Sequence, residues 1–185
     1  MAKRDAAATR RKLLDAAVKE FAAHGLAGAR VDRIAAATGI SKPMLYAYFG
    51  DKEALFDAAL TQEVMEAASA DLFDAEDLPG YAGRMYDLLS ERHCLWRLIT
   101  WFHLERGQDV LLISEGREIL RTKLERLIDA QVRGHITADF RPEVIVRILT
   151  TLIQLWCMAP PAMTSEDHQS RRETIVLAVQ RLFIV

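Results

Sequence analysis

The stretch Lys42-Pro43-Met44-Leu45-Tyr46-Ala47-Tyr48-Phe49 gathers a lysine, two phenols and several small side chains within eight residues. At 3.6 residues per turn, Leu45 and Phe49 share one side of a helix and turn inward. Lys42, Pro43, Met44, Tyr46, Ala47 and Tyr48 then cover the remaining surface. A lysine and two hydroxyls there suit phosphate oxygens, while rings and small side chains suit thymine methyls and sugars. Ser41 is placed to cap the helix, and Pro43 fits its first turn, where a missing N–H costs nothing.

Other elements must hold that segment out. From Thr9 to His24, Leu13, Leu14, Ala17, Val18, Phe21 and Ala22 form one helical face, and Gly25 is a credible stop. A short helix over 31–38 follows, with Val31, Ile34, Ala35 and Thr38 inward, and Gly39-Ile40-Ser41 breaks it. Helix, Gly-containing turn and second helix match the plan in which the second helix enters the DNA major groove. An ordinary helical corner is the competing description. Gly50 ends the third helix, and a long helix from Lys52 is expected to reach about Leu72.

Charge is distributed in keeping with a polyanion partner. Residues 1–52 carry ten Lys or Arg against five acids, whereas the whole chain has a net charge of −2. Phosphate contacts depend on local charge, so a basic segment on an acidic body points to nucleic acid. A solvated basic tail would give the same count.

The run from Gly39 to Phe56, with Ile34-Ala35-Ala36-Ala37-Thr38 before it and Ala17 to Gly25 earlier, resembles the signature of TetR-type transcriptional regulators. The likeness covers about residues 9–58; the rest agrees only in being helical and of suitable length, with Asp139-Phe140-Arg141-Pro142-Glu143 introducing a late amphipathic helix. Apolar periodicity along the whole chain gives about nine helices and no strand, an all-α fold. The resemblance divides it into a DNA-binding bundle over 1–52 and an effector-binding and dimerisation domain over 53–185. It implies that Tyr46 and Tyr48 touch DNA and that Ser41, Lys42 and Pro43 lie at the N-terminus of the recognition helix. Lys52 matches a phosphate-binding lysine. Where the family often has Ser or Thr before the second helix, this chain has Ala29-Arg30-Val31, so the cap is lost and Arg30 is left as the phosphate contact. Lys3, Arg4, Arg10, Arg11 and Lys12 form either a groove-binding arm or a frayed tail.

Beyond the bundle, Asp77-Leu78-Pro79-Gly80 reads as a turn. Helices are expected over about 81–92, 94–104, 110–132, 142–158 and 169–183. The most aromatic stretch, 94–103, supplies Trp96, Arg97, Trp101 and His103. With Met85, Tyr86, Trp156, Cys157 and Met158 it forms either an apolar effector cavity or simply core. Trp96 and His103 fall on one helical face, and His93 is expected to be exposed. Ile145, Ile148, Leu149, Leu152 and Ile153, with Val176, Val179, Leu182 and Phe183, carry more apolar surface than one face buries. That excess suggests a twofold four-helix interface. A homodimer doubles the reading helix and calls for a near-palindromic operator with half-sites ~34 Å, or a multiple of that, apart.

Several classes are disfavoured. The five histidines are scattered, so no metal site and no cofactor is expected. No nucleophile, base or carboxylate pair has a distinctive spacing, and Asp71, Asp74, Glu76 and Asp77 read as a solvated helix end. No apolar run reaches the ~18–20 residues of a membrane span. The basic start is unlike a secretory signal, and two cysteines make no disulfide framework. The expectation is a cytoplasmic, ligand-responsive, DNA-binding regulator, most often a repressor in this family. A helical ligand-binding or scaffold protein that never touches DNA is the alternative.

Overall fold

A computed structural model describes residues 2–68, 72–107, 114–157 and 164–185, with side chains over 6–68, 72–107, 116–156, 164 and 166–185. The side chains of Lys3, Arg4 and Cys157, and all of Met158, lie outside that description. Nine helices and no strand occupy the described residues: α1 (Ala2–Gly28), α2 (Val31–Thr38), α3 (Lys42–Phe49), α4 (Lys52–Ala68), α5 (Leu78–Glu91), α6 (His93–Arg106), α7 (Ser114–Val132), α8 (Pro142–Cys157) and α9 (Ser165–Phe183). The all-α expectation is met. A single bridge pairs Ile136 with Ile184.

The expected helix ends shift where a cap was misread. Pro79 and Gly80 make no turn; they are the first turn of α5, because the Asp77 carboxylate accepts from the Gly80 N–H at 2.8 Å. Helix α9 begins near residue 165 because Thr164 and Asp167 cap each other's backbone N–H groups. Helix α1 runs through the expected arm from Ala2, so Arg10, Arg11 and Lys12 are helical.

Packing divides the chain into two compact units, Met1–Ser69 with Cys94–Glu115, and Ala70–His93 with Gly116–Val185. The expected boundary at residue 52 therefore does not follow the packing. Leu55, Phe56, Ala59 and Leu60 of α4 and Leu98 and Phe102 of α6 complete the same core as Leu13, Leu14, Phe21, Ile34 and Leu45. Its centre is aromatic: Phe21 meets Phe56 edge-on at 5.1 Å, and Phe56 stacks on Phe102 at 6.5 Å. In the second unit α5 packs against α8 and α9. Asp87 pairs with Arg172 at 2.8 Å, Tyr86 stacks on His168 at 4.8 Å, and Gly83 leaves room for the Arg172 guanidinium.

Helix α1 is broken at Gly25, whose φ of 68° lies in the left-handed region. A Cβ there would sit 2.6 Å from Glu105 Oε1 and 2.8 Å from the Trp101 ring. Gly25→Ala combines that clash with a strained backbone and is expected to lower stability by about 2 kcal/mol in denaturant titration.

Candidate nucleic-acid interface

The short α3 depends on a few contacts for its place. Leu45 is its one buried side chain, and the Ser41 hydroxyl accepts from the Met44 N–H at 3.4 Å to cap it. Lys42, Pro43, Met44 and Ala47 are exposed. The tyrosines are less free than expected. Tyr46 and Tyr48 are half-buried and packed against the bundle core, with Tyr48 6.2 Å from Phe49. Phe49, expected inside, is only half-buried under the Arg10 guanidinium at 5.1 Å.

Most of the cations in this region already have partners. Lys42 pairs with Asp32 of α2 at 2.9 Å, and that carboxylate raises the lysine pKa above its ordinary value. Lys12 reaches the Thr38 carbonyl at 2.8 Å, closing the C-terminal end of α2 where the helix dipole favours a cation. Arg11 pairs with Glu66 at 2.8 Å. Lys52 was matched to a phosphate-binding lysine, yet its ammonium donates to the carbonyls of Ala27 and Ala29 at 3.2 and 3.1 Å. Three donors on one ammonium leave capacity for a further acceptor. Among the described residues the Arg30 guanidinium makes no ion pair or hydrogen bond.

The missing Ser or Thr before α2 is replaced from elsewhere. Arg30 stands at the N-cap with no side-chain cap of its own. Glu20 of α1 accepts from the Arg30 backbone N–H at 2.8 Å and from Arg33 Nε at 2.9 Å. Glu20 was not singled out from the sequence, since ten residues separate it from Arg30.

The expected effector set is divided between the two units. Met85, Tyr86 and Trp156 belong to the second unit; Trp96, Arg97, Trp101 and His103 belong to the first. Trp96 and Tyr86 are buried and His103 is exposed. Arg97 donates to the carbonyls of Ala22 and Ala23 at 2.5 and 3.4 Å, and Trp101 Nε1 to that of Ala22 at 3.3 Å, so both tie α6 to α1. Arg171 lies 5.2 Å over the Trp156 ring.

The expected interface residues divide by exposure. Ile145, Leu149, Ile153, Val179 and Phe183 are core of the second unit. Ile148, Leu152 and Val176 are half-buried and Leu182 is 41% exposed; Leu155 and Leu177, which were not expected there, are 64% and 49% exposed. An i, i+3, i+4 pattern marks a stripe as apolar without saying which half of it a neighbouring helix covers.

Two family models match this chain. Residues 13–59 match the bacterial regulatory proteins of the tetR family, and residues 77–181 match the tetracyclin repressor-like C-terminal domain. The HTH-type transcriptional repressor SCO4008 of Streptomyces coelicolor is 37% identical over 164 residues, 88% of this chain and 85% of that one. The chain belongs to the TetR family. A second repressor, AcnR of Corynebacterium glutamicum, is 31% identical over 78% of each chain. The crystal structure of SCO4942 from S. coelicolor, described as a transcriptional regulator, superposes with a TM-score of 0.80 at 34% identity, covering 95% of this chain and 98% of that one. This TetR-family chain is therefore a DNA-binding transcriptional regulator, and α2 and α3 are its helix-turn-helix.

The internal partners of Lys42 and Lys52 separate their roles. Lys52→Met removes two hydrogen bonds at the α1–α2 connection and is expected to cost about 1 kcal/mol in chemical denaturation. Lys42→Gln should leave the melting temperature unchanged and lower the slope of log affinity for DNA against log salt by about one.

Proposed function

We propose that this regulator is a repressor that binds a palindromic operator as a homodimer and releases it when a small molecule occupies the second unit. The observation that carries the DNA part is α3 itself. Its exposed side is Lys42, Pro43, Met44 and Ala47, bounded by the half-exposed rings of Tyr46 and Tyr48, with Leu45 as its one buried side chain. In this reading Ser41, Lys42 and Pro43 meet a phosphate at the start of the helix, its positive dipole end. The rings of Tyr46 and Tyr48 stay on the bundle while their hydroxyls reach out. Lys42 exchanges Asp32 for a phosphate, Arg30 supplies a second cation, and Lys52 contributes its remaining donor while it holds the α1–α2 connection.

Leu155, Leu177 and Leu182, flanked by Ile148, Leu152 and Val176, support a twofold interface through α8 and α9. The effector contacts are assigned to Met85, Tyr86 and Trp156, which share one unit. Repression follows the activity of both curated relatives, SCO4008 and AcnR. No helix among the described residues is long and apolar enough to cross a membrane, and action in the cytoplasm follows from access to DNA.

Selection of duplexes from a random pool by the full-length protein, read by mobility shift, tests the proposal. A twofold-symmetric, salt-sensitive site is expected, and Tyr46→Ala and Tyr48→Ala should each weaken it about tenfold with unchanged circular dichroism. If no duplex is enriched and none shifts at low salt, the protein is a helical ligand-binding module instead.

A further inference from the structure

The break in α1 leaves two sets of backbone groups without intrahelical partners: carbonyls at the end of the long segment and N–H groups at the start of the short one. Residues 22–28 are Ala22, Ala23, His24, Gly25, Leu26, Ala27 and Gly28, a run without a Ser, Thr, Asp or Asn to cap either set. Helix α6 supplies the partners. Arg97 and Trp101 donate to the Ala22 carbonyl, and Arg97 also to that of Ala23. The Glu105 carboxylate accepts from Leu26 N–H at 2.8 Å with one oxygen and from Ala27 N–H at 3.2 Å with the other. The spacing 97, 101, 105 is one face of α6, so a single helix grips both sides of the break. The adjacent Arg106 reaches Asp57 of α4 at 3.1 Å.

The chain leaves this break directly into the helix-turn-helix. Ala27 and Ala29 accept from Lys52, and Arg30 donates to Glu20. Besides the backbone bond from the Ala29 N–H to the Gly25 carbonyl at 3.2 Å, the path from Gly25 to α2 is held by the side chains of Glu105, Lys52, Glu20 and Arg33, and the Glu105 contact is an exposed carboxylate.

We propose that Glu105, seated beside Arg97 and Trp101, is a positioning residue for operator binding: it caps the short segment of α1 and so sets the angle at which α2 and α3 are presented to DNA. It acts without touching DNA. The inference rests on the regulator reading above.

The test compares Glu105→Gln, Glu105→Ala and Leu60→Val in the full-length protein, using the duplex selected by the wild type. Leu60→Val thins the same core from α4 and controls for lost stability. Removing both acceptors in Glu105→Ala is expected to raise hydrogen exchange at the Leu26 and Ala27 amides about fivefold and to weaken operator binding about fivefold. Glu105→Gln keeps one acceptor oxygen and should fall between. Leu60→Val should lower the melting temperature and leave operator affinity at 25 °C unchanged. The proposal is overturned if exchange rises with affinity intact, if exchange and affinity both stay at wild-type values, or if Leu60→Val weakens binding as much as Glu105→Ala. A wild type that selects no duplex overturns the regulator reading itself and this proposal with it.

Discussion

Three phenylalanine rings govern the first unit. Phe21 from α1, Phe56 from α4 and Phe102 from α6 are in contact in sequence, and each is buried almost completely. Aromatic pairs in such geometry contribute beyond the area they bury, and a bundle of this size has little else of comparable volume. Because each ring comes from a different helix, the stack sets the mutual placement of all three. The two short helices then need little anchoring of their own: α3 has Leu45, and α2 has Val31, Ile34, Ala35 and Thr38. A recognition helix with one buried leucine keeps Lys42, Pro43, Met44 and Ala47 exposed to another molecule.

The same economy governs charge. A segment carrying twice as many cations as acids does not present all of them outward. Lys12 and Lys52 lie on helix-end carbonyls, Arg33 on Glu20, Arg11 on Glu66 and Lys42 on Asp32. Contacts to carbonyls hold the connections between α1, α2 and α4; the exposed pair of Lys42 and Asp32 contributes little to stability and leaves its lysine exchangeable. The positive field that draws DNA toward the bundle and the bonds that keep the bundle in shape thus share side chains.

In the second unit the seam between α5 and α9 has a polar element. Asp87, Arg172, His168 and Tyr86 pair across it, with Gly83 making the space. Below that seam Ile145, Leu149, Ile153, Val179 and Phe183 fill the interior. Leu155 and Leu177 are exposed on α8 and α9, and Leu182 is exposed beside the buried stripe of α9.

The periodicity of apolar residues determined the all-α class and the inner face of α2 residue for residue, and a serine two residues before Pro43 determined the cap of α3. These are local matters, decided by spacing within one or two turns. The tertiary structure alone decided which half of each apolar stripe is covered, how far Tyr46 and Tyr48 lean on the core, and why Arg97 and Trp101 are bonded to α1. It also brought Glu20 to the α2 cap and Glu105 to the broken end of α1, partners separated by 10 and by 78 or 79 residues. A backbone N–H accepts help from any carboxylate that folding brings within 3 Å or so, and nothing in the order of residues records that distance.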